Sequence, residues 1–356
     1  MPVLRPLPLC VSVLAVALAA CGSPEPREAA PAPSAAAPTG TTLSREAIEQ
    51  AVFTAPVAAP PASDPATAGQ ATPPARPDPA VIRAQILLDR ARFSPGVIDG
   101  LGGDNTRQAI AAFEKSVGLP EDGVLDAQVF TRLTQTDSAP VLSDYVITAA
   151  DLTGPFIGAV PADLEAQSKL ATVGYATPLE ALAEKFHVTE GFLQALNPGA
   201  DFGKAGQRLL VPATGPADLP ADVARIVVDK TERSVRAYDA QDRLLAFYPA
   251  TIGSSTRPAP SGNLTVVGVA PEPDYTYDPS RVSYDRGSKK VVVPAGPNNP
   301  VGSVWIDLSR DTYGIHGTPD PSKVGKTFSN GCVRLTNWDA EQLAARVKPG
   351  VKVEFR

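Results

Sequence analysis

The sequence predicts a multidomain chain: a small all-α unit, a small α+β module, and a mostly-β C-terminal domain of sandwich or barrel type. Three observations carry this. A segment of mostly Ala, Pro, Ser and Thr over 22–79 separates an apolar N-terminus from the rest. Helical periodicity dominates 80–137 and returns over 170–214. From about Arg225, short runs of β-branched and aromatic residues alternate with turn signals. At 356 residues the chain has length for two or three small cores. Its 43% hydrophobic and 20% charged content suits globular modules, whereas 38 prolines require some unfolded linker. A net charge of −6 argues against nucleic acid as a partner, because phosphate-binding surfaces carry a basic excess.

The N-terminus places Arg5 before an apolar run, Leu7 to Ala20, too short to span a bilayer comfortably. The string Leu18-Ala19-Ala20-Cys21-Gly22 resembles a bacterial lipoprotein cleavage site. The resemblance implies a signal peptide over 1–20, lipid on the Cys21 sulfur and a membrane anchor. The alternative is an ordinary secretion signal or short anchor, and either way the remainder is exported. Of three cysteines, Cys10 then leaves with the signal and Cys21 carries lipid. Cys332 remains as a lone thiol with no disulfide partner, which invites a chemical explanation; an inert buried cysteine is the alternative. Residues 21–79 read as a disordered tether, reaching on the order of 100 Å or more if stretched. Ser44 to Phe53 has the pattern of one short helix inside it.

In the all-α unit, 80–137, Val81, Gln85 and Leu88 share a helix face. Asp104 reads as the cap of a second helix carrying Ile110, Phe113 and Val117, and Asp126 as the cap of a third carrying Val129, Phe130 and Leu133. The turns Asp99-Gly100 and Asp122-Gly123 separate them. The stretch GVIDGLGGDNTRQAIAAFEKSVGLPEDGVLD resembles the peptidoglycan-binding domain type 1 family, with Glu114 where Gln is common. Helix packing alone accounts for each apolar landmark, so wall binding follows from the resemblance.

In the α+β module, 170–214, Thr177-Pro178-Leu179-Glu180 is a capping box with Pro at the first helical position. Thr189 reads as the cap of a second helix, and Leu209-Leu210-Val211 as a strand. Strand, two helices and strand resemble the lysin motif, a glycan-binding module, although the usual Gly-Asp before the first helix is absent. A docking spacer is the alternative. His187, ending the first helix, reads as a surface or packing residue.

In the C-terminal domain, 223–356, strands are expected at Arg225–Asp229, Ser234–Tyr238, Leu244–Ala250, Leu264–Val269, Lys290–Val293, Val304–Asp307 and Val351–Phe355, with one helix at Asp339–Val347. The segment IHGTPDPSKVGKTFSNGCVRLTNWDAEQL carries the chemistry. A turn-rich loop separates His316 from Cys332 and can fold the two side chains together. A free thiol is mostly protonated at neutral pH, and a neighbouring imidazole can take its proton to leave a strong nucleophile. Gly331 gives backbone room beside the thiol, and N–H groups on that turn can face a developing oxyanion. Ser329 and Asn330 either support the site or are turn residues. Arg334, two residues beyond Cys332, either holds a substrate carboxylate in bidentate fashion or pairs on a strand. Asp307, Asp311 and Asp320 are near enough in sequence to offer a third member. Two distant histidines and one mature cysteine are too few for the usual metal ligand sets. Trp305 and Trp338 read as core.

The stretch Arg225 to Phe355 resembles the L,D-transpeptidase catalytic domain, through RIVVDKTERSVRAYD, YPATIGSSTRPAPSGNLTV, GPNNPVGSVWIDL and IHGT…SNGCVRLTN…PGVKVEF in the family's order. The resemblance implies Cys332 as acylated nucleophile, His316 as base, the Gly317 carbonyl orienting the imidazole, and Arg334 on substrate. It implies stem peptides and glycan of peptidoglycan as partners, no cofactor, and acylation by carbapenem-type β-lactams. Asn330 stands where many members have His. The expected reaction is cross-linking between third stem residues in the periplasm, with Gly22 favouring the outer membrane. Alternatives are hydrolysis of the same thioester (a carboxypeptidase or amidase), transfer to a lipoprotein lysine, and a non-catalytic wall-binding lipoprotein.

Overall fold

The computed structural model describes residues 43–53, 76–282 and 284–356. The expected signal peptide and tether, with Cys10 and Cys21, lie largely outside the described residues. Within that tether residues 43–53 are folded, where the sequence offered one short helix. Ser44 caps α1 (Arg45–Glu49) through the Ala47 N–H, and Ile48 is fully buried. The Glu49 carboxylate accepts the N–H groups of Val141 and Leu142, at 3.1 and 2.8 Å. Apolar residues flanking a capped turn gave this piece enough burial to order, within an otherwise Pro-rich stretch.

The all-α unit comprises α2 (Pro79–Arg90), α3 (Asp104–Val117) and α4 (Ala127–Thr136). Asp78 caps α2 and Asp126 caps α4. Asp104 is not a cap: Gly103 holds that position without a side-chain bond, and Asp104 opens the helix, where its charge meets the positive end of the dipole. Glu114 is buried and binds the turn through the N–H groups of Asp122 and Gly123, at 3.0 and 2.8 Å.

The next module contains β1 (Leu142–Val146), the short α5 (Leu164–Gln167), α6 (Pro178–Lys185), α7 (Glu190–Leu196) and β2 (Arg208–Pro212). Thr177 and Thr189 cap α6 and α7. The strand that pairs antiparallel with β2 is β1, Leu142 opposite Pro212, and it precedes the 170–214 range. Part of the segment between β1 and α6 packs elsewhere: Leu164 and Val173 share a small core with Tyr277 and Val293. The all-α unit and this module share one core, which also takes in Phe247.

The C-terminal domain holds β3 (Arg225–Asp229), β4 (Ser234–Tyr238), β5 (Leu244–Pro249), β6 (Gly262–Pro271), β7 (Tyr275–Tyr277), β8 (Val291–Val293), β9 (Val304–Leu308), β10 (Gly314–His316), β11 (Val333–Arg334), α8 (Asn337–Ala344) and β12 (Lys352–Phe355). Eight strands form one sheet in the order β11-β10-β9-β6-β12-β3-β4-β5, while β7 and β8 make a separate hairpin. The chain beyond β5 returns to the far edge, bridging Thr251 to Arg334 and Gly253 to Ser329. The sheet therefore curls almost shut around a core that includes Ile226, Val353, Ile306 and Ile315. The outer edge of β5 is covered by the all-α unit: Phe247 N–H donates to the Arg92 carbonyl and Ser94 N–H to the Phe247 carbonyl, both at 2.9 Å. Docking a neighbour on an edge strand removes unpaired backbone groups that would otherwise invite aggregation.

Candidate active site

Strands β10 and β11 run parallel with Ile315 opposite Val333 and His316 opposite Arg334. Side chains alternate across a strand, so His316 and Arg334 project on one face, and Cys332 projects with them from just before β11. All three line a pocket of about 640 Å³ with Tyr275, Tyr284 and Tyr313. No hydrogen bond joins Cys332 to His316. The thiol instead donates to the Thr312 carbonyl at 3.6 Å.

His316 is 3% exposed. Its Nδ1 lies 2.7 Å from the Gly317 carbonyl oxygen. A carbonyl only accepts, so Nδ1 carries the proton and Nε2 is left with the lone pair. The ring stacks on Trp305, centroids 5.3 Å apart and planes 21° apart. Burial, reinforced by the Arg334 charge, lowers the imidazole pKa to about 3 against the opposing pull of the Gly317 and Val301 carbonyls. Burial raises the Cys332 thiol, while the Gly314 N–H and Arg334 favour the thiolate. The resting pair is thus neutral thiol and neutral imidazole, each able to exchange one proton when substrate enters. Arg334 has its own pKa lowered, chiefly by burial, and its Nε is buried without a hydrogen-bond partner among the described residues. A buried guanidinium N–H left unpaired is costly, and a carboxylate entering the pocket relieves it.

The turn before Cys332 is held from within. Ser329 Oγ donates to the Cys332 carbonyl at 2.5 Å and accepts the Gly331 N–H at 3.1 Å. Ser329 thus braces the turn, and the Gly331 N–H is already engaged rather than aimed at an oxyanion. Gly331 has φ +122°, and a Cβ there would lie 2.9 Å from Tyr313 Cε1. Asn330 accepts from Arg257 Nη1 at 2.8 Å through its Oδ1. Sequence reading missed Arg257: it lies within the string YPATIGSSTRPAPSGNLTV, but nothing in that string shows that its side chain reaches Asn330.

The carboxylates considered as third members are used elsewhere. Asp307 accepts from Trp305 Nε1, Asp311 from Arg281 and Asp320 from Ser322. The role a carboxylate would have in orienting the imidazole falls to the Gly317 carbonyl. His187 is a packing residue, 3.0 Å from Asp89 and stacked on Trp338 at 4.8 Å between centroids. Among the described residues no group of three or more His, Cys, Asp or Glu is arranged to hold a metal ion.

Residues 223–355 match the L,D-transpeptidase catalytic domain, and residues 77–133 match the peptidoglycan binding domain. The chain is 33% identical over 180 residues to the Bacillus licheniformis protein named as an L,D-transpeptidase, YkuD, covering 50% of this chain and 92% of that one. It is 30% identical over 221 residues to YbiS of Escherichia coli strain K12, also named as an L,D-transpeptidase, covering 58% of this chain and 70% of that one. Among solved structures, L,D-transpeptidase 3 of Mycobacterium tuberculosis aligns with a TM-score of 0.32 at 14% identity, over 43% of this chain and 75% of that chain.

Proposed function

This chain belongs to the L,D-transpeptidase family, and on that premise we propose that it cross-links third stem residues of peptidoglycan through a thioester on Cys332, with His316 as its base. The chain is an L,D-transpeptidase enzyme with a helical peptidoglycan-binding region. The observation that carries the residue assignment is the convergence of Cys332, His316 and Arg334 on one face of β10 and β11, inside one pocket.

His316 Nε2 takes the thiol proton as sulfur attacks the carbonyl of the third residue. The C–N bond to the terminal D-alanine breaks, and that amine leaves with the proton from His316. An acceptor amine on a second stem then attacks the thioester, gives its proton to His316, and forms the new amide. The thiolate departs and is reprotonated. Arg334 holds a stem carboxylate, and Gly317 fixes the tautomer that makes Nε2 the acceptor. Ser329 and Gly331 shape the turn, and Asn330 sits with Arg257 at its rim. Carbapenem-type β-lactams acylate the same sulfur.

The domain ranges 80–137, 170–214 and 223–356 carry wall binding, glycan contact and catalysis. The α6–α7 module supports a lysin-motif reading through its two capped helices and the β1–β2 pair. Lipid on Cys21 anchors the chain in a bacterial envelope facing the periplasm, with the outer membrane favoured by Gly22 and a lipoprotein lysine as a second acceptor. Tethering beside the wall raises local substrate concentration.

The test is mass spectrometry of disaccharide-tetrapeptide incubated with the full chain and with Cys332→Ala. Cross-linked dimers that vanish in the variant support the proposal. Tripeptide monomers alone identify a hydrolase instead, and no turnover with no trapped acyl-enzyme leaves a wall-binding protein.

A further inference from the structure

A buried acid outside the catalytic sheet has no place in the reaction as described. Glu184, on α6, is 7% exposed, and its Oε2 accepts from Asn337 Nδ2 at 3.0 Å. Asn337 opens α8, immediately beyond β11, and is 3% exposed. Its Nδ2 also donates to the Pro297 carbonyl at 3.1 Å. With both acceptors on the nitrogen side, the amide can face only one way. Its Oδ1 turns toward the catalytic loop and accepts the N–H groups of Thr318 and Ser303, at 3.0 and 3.2 Å.

The Thr318 N–H and the Gly317 carbonyl belong to one peptide group, which is planar and rigid. Fixing the N–H at one end fixes the carbonyl at the other, and that carbonyl holds His316 Nδ1 at 2.7 Å. Gly317 leaves the space this contact needs, since a Cβ there would stand 2.2 Å from Asn337 Oδ1. The line from Glu184 to the imidazole therefore runs through one side-chain amide and one peptide plane. Burial pushes the Glu184 carboxyl up to about 8 despite the bonds from Asn337 and Tyr175. It is largely neutral at pH 7, so a glutamine is a close mimic of its working form.

We propose that Glu184 is a positioning residue for the transfer reaction: from the α6–α7 module, through Asn337 and the Gly317–Thr318 peptide, it holds His316 in the Nδ1–H tautomer. The module on which Glu184 sits is thereby part of the catalytic apparatus and more than a wall anchor. This rests on His316 acting as the base. Its test uses the tetrapeptide assay with the full chain, so wild type without turnover, or Cys332→Ala retaining it, refutes that premise rather than this inference.

Glu184→Met keeps the volume and removes the acceptor. It is expected to lower kcat about tenfold with KM changed less than about twofold, as a small misplacement of a catalytic group does. Glu184→Gln is expected to stay within about twofold of wild type, because its carbonyl oxygen still accepts from Asn337. Nitrogen NMR of the imidazoles, simple to assign with only two histidines in the chain, is expected to show His316 as Nδ1–H in wild type and Glu184→Gln, and as a mixture of tautomers in Glu184→Met. If Glu184→Met does not give folded protein, Glu184→Asp, one methylene short of Asn337, reads the same quantities. Wild-type kcat and tautomer in the variant that removes the bond, or Glu184→Gln as impaired as that variant, overturns the proposal.

Discussion

Adding one methyl group at Gly331 tests how the turn presents the nucleophile. The residue has φ +122°, beyond the region that side-chain-bearing residues adopt, and its Cβ would sit 2.9 Å from Tyr313 Cε1. Backbone strain of that kind costs about 1–3 kcal/mol. The tyrosine ring must also give by several tenths of an ångström, adding about 1 kcal/mol or more of overpacking. If the turn keeps its shape, Gly331→Ala should lose about 2–4 kcal/mol of stability. If it relaxes instead, φ rotates toward negative values, the adjoining Cys332 backbone moves, and the loss passes from stability to reaction rate. The assay pairs urea unfolding with time-resolved mass spectrometry of Cys332 acylation by a carbapenem. The expected result is a clear loss in at least one measurement, with Ser329→Ala loosening the same turn more mildly. A variant within about 0.5 kcal/mol of wild type and acylated at the same rate would refute the claim that this conformation is required.

Three further outcomes follow from the same site. His316 has a folded pKa of about 3, below the ordinary 6.5, so the unfolded chain binds more protons between those values and stability from this group is lost as pH falls through that window. Urea unfolding of wild type minus His316→Gln should therefore change by up to about 1.4 kcal/mol per pH unit between 6 and 4, a difference in which other titrating groups cancel. Because burial raises the Cys332 thiol, labelling by iodoacetamide should be slow at pH 7 and climb through pH 9, and a flat profile would contradict a neutral resting thiol. Arg334→Met should raise the tetrapeptide KM by about tenfold or more, since a charged hydrogen bond is worth about 1.5–3 kcal/mol. It should also slow alkylation at pH 8 by removing the charge that favours the thiolate.

Elements long enough to show a local pattern or a cap were the most legible. Strands β3, β4, β5 and β9 carry enough β-branched or aromatic residues to announce themselves, and Thr177 and Thr189 mark their helices by cap chemistry alone. Strands β10 and β11 span three and two residues, too short for any period, so the parallel pairing that sets His316 opposite Arg334 could not be read from pattern. Strand β1 was missed for a different reason, since its partner β2 lies beyond three helices, α5, α6 and α7. The nucleophile was legible because Cys332 lies within a recognisable string. Its supports were not: Arg257 reaches Asn330 from 73 residues away, and Glu184 reaches Asn337 from 153. The first contact depends on how the catalytic sheet closes on itself and the second on how the α6–α7 module docks, and no local pattern in the chain encodes either. Trp305, read as core, proved to be the stacking surface for His316, a placement that needs Gly314, whose Cβ would lie 2.4 Å from the indole.

The covered edge of β5 has a mechanical consequence. Backbone bonds tie residues 92–94 of the all-α unit to Phe247, and Ser94 Oγ donates to Asp339 of α8 at 2.9 Å. A hinge at that seam would have to break sheet-like bonds and expose a buried carboxyl. The peptidoglycan-binding helices and the cysteine are thus fixed parts of one gauge. A glycan strand held by those helices would meet the thiol at an offset set by the protein's own dimensions rather than by chance encounter.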